Sequence, residues 1–94
     1  MSTSERITEI TESLNELLQA KNKNYGDAAI NPIKIFSAVE PENGICVRLD
    51  DKLSRVRNHP DGFRFNDLLD IAGYMVLLLA DKGITREHFL AQID

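Results

Sequence analysis

The sequence predicts an all-α protein, a four- or five-helix bundle that assembles as an oligomer. Three observations carry that reading. Apolar residues recur three or four positions apart over 4–21 and again over 45–56, the spacing of one helix face. No stretch alternates apolar with polar residues as a half-buried strand would. From Leu68 to Ala80 nearly every residue is apolar, and a helix apolar on all sides must be surrounded by protein. In a chain of 94 residues, other subunits are the expected source of that cover.

Each element has its own signals. In the first helix, over 4–21, Ser4 suits the N-cap, and Ile7, Ile10, Leu14, Leu17 and Leu18 share a face. Glu5 and Glu9 at its start and Lys21 and Lys23 at its end suit the helix dipole. Asn22 to Asp27 breaks the pattern, with Gly26 expected at positive φ. Asn31 and Pro32 suit the N-cap and first position of a short helix burying Ile33, Phe36 and Val39. Residues 40–44 connect to a charged helix ending near Arg57, and Pro41 could itself open it. Asn58 to Gly62 is dense in turn residues, and Phe63 and Phe65 are expected to fold that loop onto the core. Asn66 suits the N-cap of the apolar helix, which runs to Lys82 and stops at Gly83. Thr85 opens a last short helix that buries Phe89, Leu90 and Ile93.

Composition narrows the function. Hydrophobic content of 43% and charged content of 28% fit a single soluble domain over residues 1–94. A net charge of −4 with no basic tail argues against binding long nucleic acid. The polar N-terminus lacks the apolar core of a signal peptide, and the apolar run Ile71 to Ala80 is too short to span a membrane. The lone cysteine, Cys46, reads as an inert core thiol in a reduced cytoplasm.

The charged helix is the centre of the chemistry. Arg48, Asp51, Lys52 and Arg55 form one stripe, while Ile45, Leu49, Leu53 and Val56 form an apolar one. Asp51 can pair with Arg48 or Arg55 inside the helix, which leaves cations in surplus to seat a phosphorylated small molecule. On the next helix Asp67 and Asp70 are three apart, so both carboxylates can point at one spot. Such a pair, with phosphate oxygens and water, can hold Mg²⁺. The plainer reading is two acids placed by the helix dipole. Tyr74, beside Gly73, serves either close helix packing or a stacking surface. Tyr25 lies in a polar loop with Lys21, Lys23 and Asn24, where a ligand lid is as good a reading as an idle ring. His59 and His88 have no partner at metal-ligand spacing and read as surface residues. No Walker-type loop, G-x-S-x-G or C-x-x-C occurs, so phosphate chemistry driven by charge and metal is what remains.

Four segments occur in order: Lys21-Asn22-Lys23-Asn24-Tyr25-Gly26, Asn31-Pro32-Ile33-Lys34-Ile35-Phe36, Arg48-Leu49-Asp50-Asp51-Lys52-Leu53-Ser54-Arg55, and Asp67-Leu68-Leu69-Asp70-Ile71-Ala72-Gly73-Tyr74. Together they resemble the small phage and bacterial "nucleotide modification associated" proteins, over about residues 15–82. That family is similar to the all-α nucleoside triphosphate pyrophosphatases, the MazG-like and dUTPase-like group. The resemblance implies a helical homo-oligomer, dimer or tetramer, with a nucleotide held between helices. In the wider group an E-E-x-x-E run and an E-x-x-D pair hold Mg²⁺, which activates water against a phosphoanhydride. Asp67 and Asp70 stand where the second element would be. The first is not reproduced: Asp50 and Asp51 supply two acids, and Ser54 and Arg55 replace the third.

Three functions follow. The first is a Mg²⁺-dependent nucleoside triphosphate pyrophosphohydrolase, with Asp51, Asp67 and Asp70 as catalytic and metal-binding residues. Lys21, Arg48, Lys52 and Arg55 would then hold phosphate, and Asn24, Tyr25 and Tyr74 would complete the ligand site. The second is a non-catalytic nucleotide binder, in one version a phage sponge in the host cytoplasm that sequesters a signalling nucleotide of host defence. The third is a purely structural helical subunit, joined to its copies through the 68–80 helix.

Overall fold

The computed structural model describes residues 1–32, 34 and 39–93. Among these the chain is all-helical, with α1 over Thr3–Asn24, α2 over Pro41–Arg57, α3 over Phe65–Asp81 and α4 over Arg86–Leu90. Ile33 and Phe36 of the short helix expected from Pro32 lie outside the described residues, and Val39, expected to be buried by that helix, is exposed.

Local chemistry sets most of the boundaries. Ser2, not Ser4, caps α1: its hydroxyl accepts from the Glu5 N–H, and the Glu5 carboxylate accepts from the Ser2 N–H, a reciprocal capping box. Ser4 has no matching acid three positions on, whereas Ser2 does. Gly26 sits at φ 60° as expected, and Asp27 follows it at φ 63°. These two left-handed residues turn the chain after α1, and Asn31 closes the turn on the Asp27 carbonyl at 2.9 Å. Pro41 opens α2 at its first turn, where a missing N–H costs nothing. The N-cap of α3 lies two residues before the expected cap Asn66. Arg64 is its N-cap, and the Asp67 carboxylate accepts the Arg64 N–H at 3.0 Å. Thr85 caps α4 as expected, its N–H donating to His88 Nδ1 at 3.0 Å.

The helix α3 is the hub, packed against α2 and more narrowly against α1. The helices α2 and α3 run antiparallel, since Lys82 meets Glu42 at one end (2.7 Å) and Lys52 meets Asp67 and Asp70 at the other. Ile45 and Val56 are the apolar side chains of α2 that become buried, Ile45 fully. Leu49 is half-buried and Leu53 is exposed, so only part of the expected apolar stripe of α2 is covered. Cys46 is exposed rather than in the core, because its neighbour Ile45 takes the inward position. Phe63 and Phe65 do not fold onto the core, and Phe89, Leu90 and Ile93 of the last helix region also face outward.

The helix α1 reaches α3 at Gly73, where an added Cβ would stand 3.0 Å from Leu18 Cδ2. A glycine here sets the depth at which the two helices cross. Gly73→Ala should be nearly neutral, because better helix propensity (about 0.8–1 kcal/mol) offsets the small shift it asks of Leu18. Gly73→Val should destabilise by about 1–3 kcal/mol through overpacking, measured by urea denaturation.

Candidate functional site

A cleft of about 520 Å³ opens between the C-terminal half of α1, the turn after it, and α3, with Arg48 of α2 reaching its edge. Its walls are aliphatic: Leu17 and Leu18 from α1, Ala28 and Ala29 from the turn, Leu69 and Leu77 from α3. Its polar groups are few and chemically distinct. Lys21 and Arg48 supply positive charge, Asp70 a carboxylate, and Tyr25 and Tyr74 two aromatic rings. An apolar body with a few placed polar groups is the usual composition of a small-molecule site.

The helix register explains the convergence. Asp70, Gly73, Tyr74 and Leu77 lie three, four and seven positions apart, so they share one face of α3. Leu17, Leu18 and Lys21 do the same on α1. The turn through Gly26 and Asp27 then brings Ala28 and Ala29 back to the cleft that Tyr25, at the end of α1, also lines.

Beneath the cleft lies a buried ionic cluster. Lys52 is only 8% exposed and Asp67 1%. The Lys52 ammonium donates to Asp67 Oδ1 at 3.1 Å and stands 2.9 Å from Asp70 Oδ2. Asp67 Oδ2 takes the Arg64 N–H and lies 3.6 Å from Arg64 Nε. Asp70 Oδ1 is 3.9 Å from Lys21 Nζ, which links the cluster to the cleft above it. Among the described residues no buried side-chain polar atom lacks a hydrogen-bond partner. Hydrogen bonds from Lys52 to Asp70 and Asp67 raise the lysine's pKa above its ordinary value. The Arg64 N–H, and after it Lys52, hold the Asp67 carboxyl below the ordinary aspartate value.

The sequence-derived residues thus divide into three groups. Lys21, Tyr25, Arg48, Asp70 and Tyr74 come together at the cleft. Lys52 and Asp67 lie under it, bound to each other rather than open to a ligand. Asp51 and Arg55 form an exposed i,i+4 pair on α2 and do not line the cleft. Asn24 does not line it either; Asn22 does, two residues earlier on the same helix. The single charged stripe expected along α2 is therefore split. Lys52 turns in to α3, Arg48 turns to the cleft, and Asp51 pairs outward with Arg55. The lining residues Leu69, Leu77, Ala28 and Ala29 were not singled out from the sequence, because aliphatic residues carry no chemical signature there.

The fit of these residues to Mg²⁺ can be judged directly. Among the described residues no three His, Cys, Asp or Glu side chains converge on a point that could hold a metal. Two carboxylates do converge, but the Lys52 ammonium stands between them, within 3.1 Å of each. An ion coordinated at about 2.0–2.1 Å by both would have to displace that ammonium. The set does not fit a resident divalent cation. Comparison of the chain with family models, with curated proteins and with solved structures finds no match.

The cluster makes a prediction about pH. Lys52→Met removes the cation and leaves Asp67 with Arg64 alone, so the thermal midpoint should fall by several degrees at neutral pH. The depressed pKa of Asp67 gives stability that is present above the unfolded carboxyl value and lost as pH falls through the lower folded one. The raised pKa of Lys52 gives stability present below the unfolded lysine value and lost as pH rises through the higher folded one. The gap between wild type and Lys52→Met should therefore stay level from about pH 5 to 9 and close below about pH 3.9. Thermal melts across that range measure it.

Proposed function

We propose that this protein binds a phosphorylated nucleotide in the cleft between α1 and α3, as a homo-oligomer. The observation that carries the reading is Arg48. It is exposed at the rim of a cleft whose walls are largely aliphatic and has no ion-pair partner among the described residues. A guanidinium so placed can take a phosphate through two parallel hydrogen bonds. Tyr25 and Tyr74 give the same cleft two rings against which a base can stack. The sequence resemblance to the "nucleotide modification associated" proteins and the MazG-like group points to the same ligand class.

Binding is the reading, and hydrolysis is not, because the carboxylates Asp67 and Asp70 already face Lys52. A sequestering role fits such a protein. Its ligand would be released unaltered on denaturation.

Self-association has separate support. The chain exposes 7516 Å², where a folded monomer of 10.6 kDa exposes about 5,500 Å². Its radius of gyration of 15.3 Å also exceeds the roughly 13 Å of a compact domain this size. The excess surface is on the scale that obligate interfaces bury. Much of it is apolar: Leu68, Met75, Val76 and Leu79 of α3, with Phe63, Phe65 and Phe89. Light scattering should give a mass of at least twice 10.6 kDa, and a monomer would contradict this part of the reading.

A thermal-shift screen of nucleotides tests the binding. A true ligand at 100 times its dissociation constant should add about 2.7 kcal/mol of stability. Arg48→Ala should weaken that ligand by at least about tenfold with little change in the unliganded melt, since the side chain is exposed and has no ion-pair partner among the described residues. If no nucleotide moves the midpoint, the reading fails.

A further inference from the structure

We infer that the cleft takes a nucleotide of low total charge, near that of a monophosphate, and binds it without a divalent cation. This rests on the nucleotide-binding reading and adds to it the charge state of the ligand and the absence of a metal requirement.

The cations on and under the cleft are not equivalent. Lys52 is committed: two carboxylate oxygens lie at 2.9 and 3.1 Å from its ammonium, and it is 8% exposed. Arg64 faces the second oxygen of Asp67. Lys21 is held loosely, 3.9 Å from Asp70 and open to solvent. Arg48 is held by nothing among the described residues. Four cations thus stand against two carboxylates, and the surplus of two sits at the rim, on Lys21 and Arg48.

A phosphomonoester brings about two negative charges at neutral pH, which that surplus matches. A triphosphate brings roughly twice as much. Its outer phosphates would lie against the Asp70 carboxylate or against aliphatic walls, with no further cation among the described lining residues to meet them. Sites for triphosphates ordinarily meet that charge with magnesium held by carboxylates. Here the position between the paired carboxylates belongs to the Lys52 ammonium. The lysine is a fixed internal counter-ion, and a magnesium-bound triphosphate would have no protein ligands waiting for it.

The test is calorimetric titration of the full chain with deoxynucleoside mono- and triphosphates, each in EDTA and in Mg²⁺. Monophosphate binding in EDTA, unchanged by Mg²⁺ and at least about tenfold tighter than that of the matching triphosphate, is expected. Manganese titration of the ligand-free protein, followed by electron paramagnetic resonance, should find no tight site. Triphosphate binding that equals or exceeds monophosphate binding, or binding that requires Mg²⁺, overturns this inference while leaving the nucleotide reading intact. Failure of every nucleotide to bind overturns both.

Discussion

The contact on which the rest depends is the Lys52 ammonium held between Asp67 and Asp70. It joins the middle of α2 to the first turns of α3, and through Asp67 it also fixes the N-cap of α3 at Arg64. Buried ion pairs are poor sources of net stability, because desolvation consumes most of the Coulombic gain. What they supply is register. With so little apolar side chain buried between α2 and α3, a three-charge bridge defines one alignment of these helices among several that packing alone would allow. That alignment is what leaves Arg48, one turn before Lys52, at the edge of the cleft and without an ion-pair partner among the described residues.

Much of the fold was legible in the sequence. The 3.6-residue spacing in α1 and α2, the proline at the start of α2, the threonine before α4 and the glycine at positive φ all lie where local rules put them. Those features are set by residues a few positions apart. Gly73 could also be read as a close crossing, since small residues mark such places, although which helix crosses there could not.

The charged residues were harder to read, for a physical reason. Within a helix, Asp51 has Arg55 as a neighbour four positions on, and that pair forms. Lys52 has partners fifteen and eighteen residues away, which only the packing of α2 on α3 creates. The sequence therefore offered Lys52 as a ligand-binding cation and Asp67 as a metal ligand, and the structure pairs them with each other. The outward Phe63, Phe65, Phe89 and Leu90 mark the other place where one chain is an incomplete guide. Their apolar character called for a core, and a single copy of this chain does not enclose them.

The bridge can be observed directly by nitrogen-15-edited NMR of the lysine side-chain ammonium groups. The account predicts one ammonium signal, that of Lys52, protected from solvent exchange, and shifted by either Asp67→Asn or Asp70→Asn. A Lys52 ammonium that exchanges as freely as the surface lysines, or that ignores both substitutions, would contradict it.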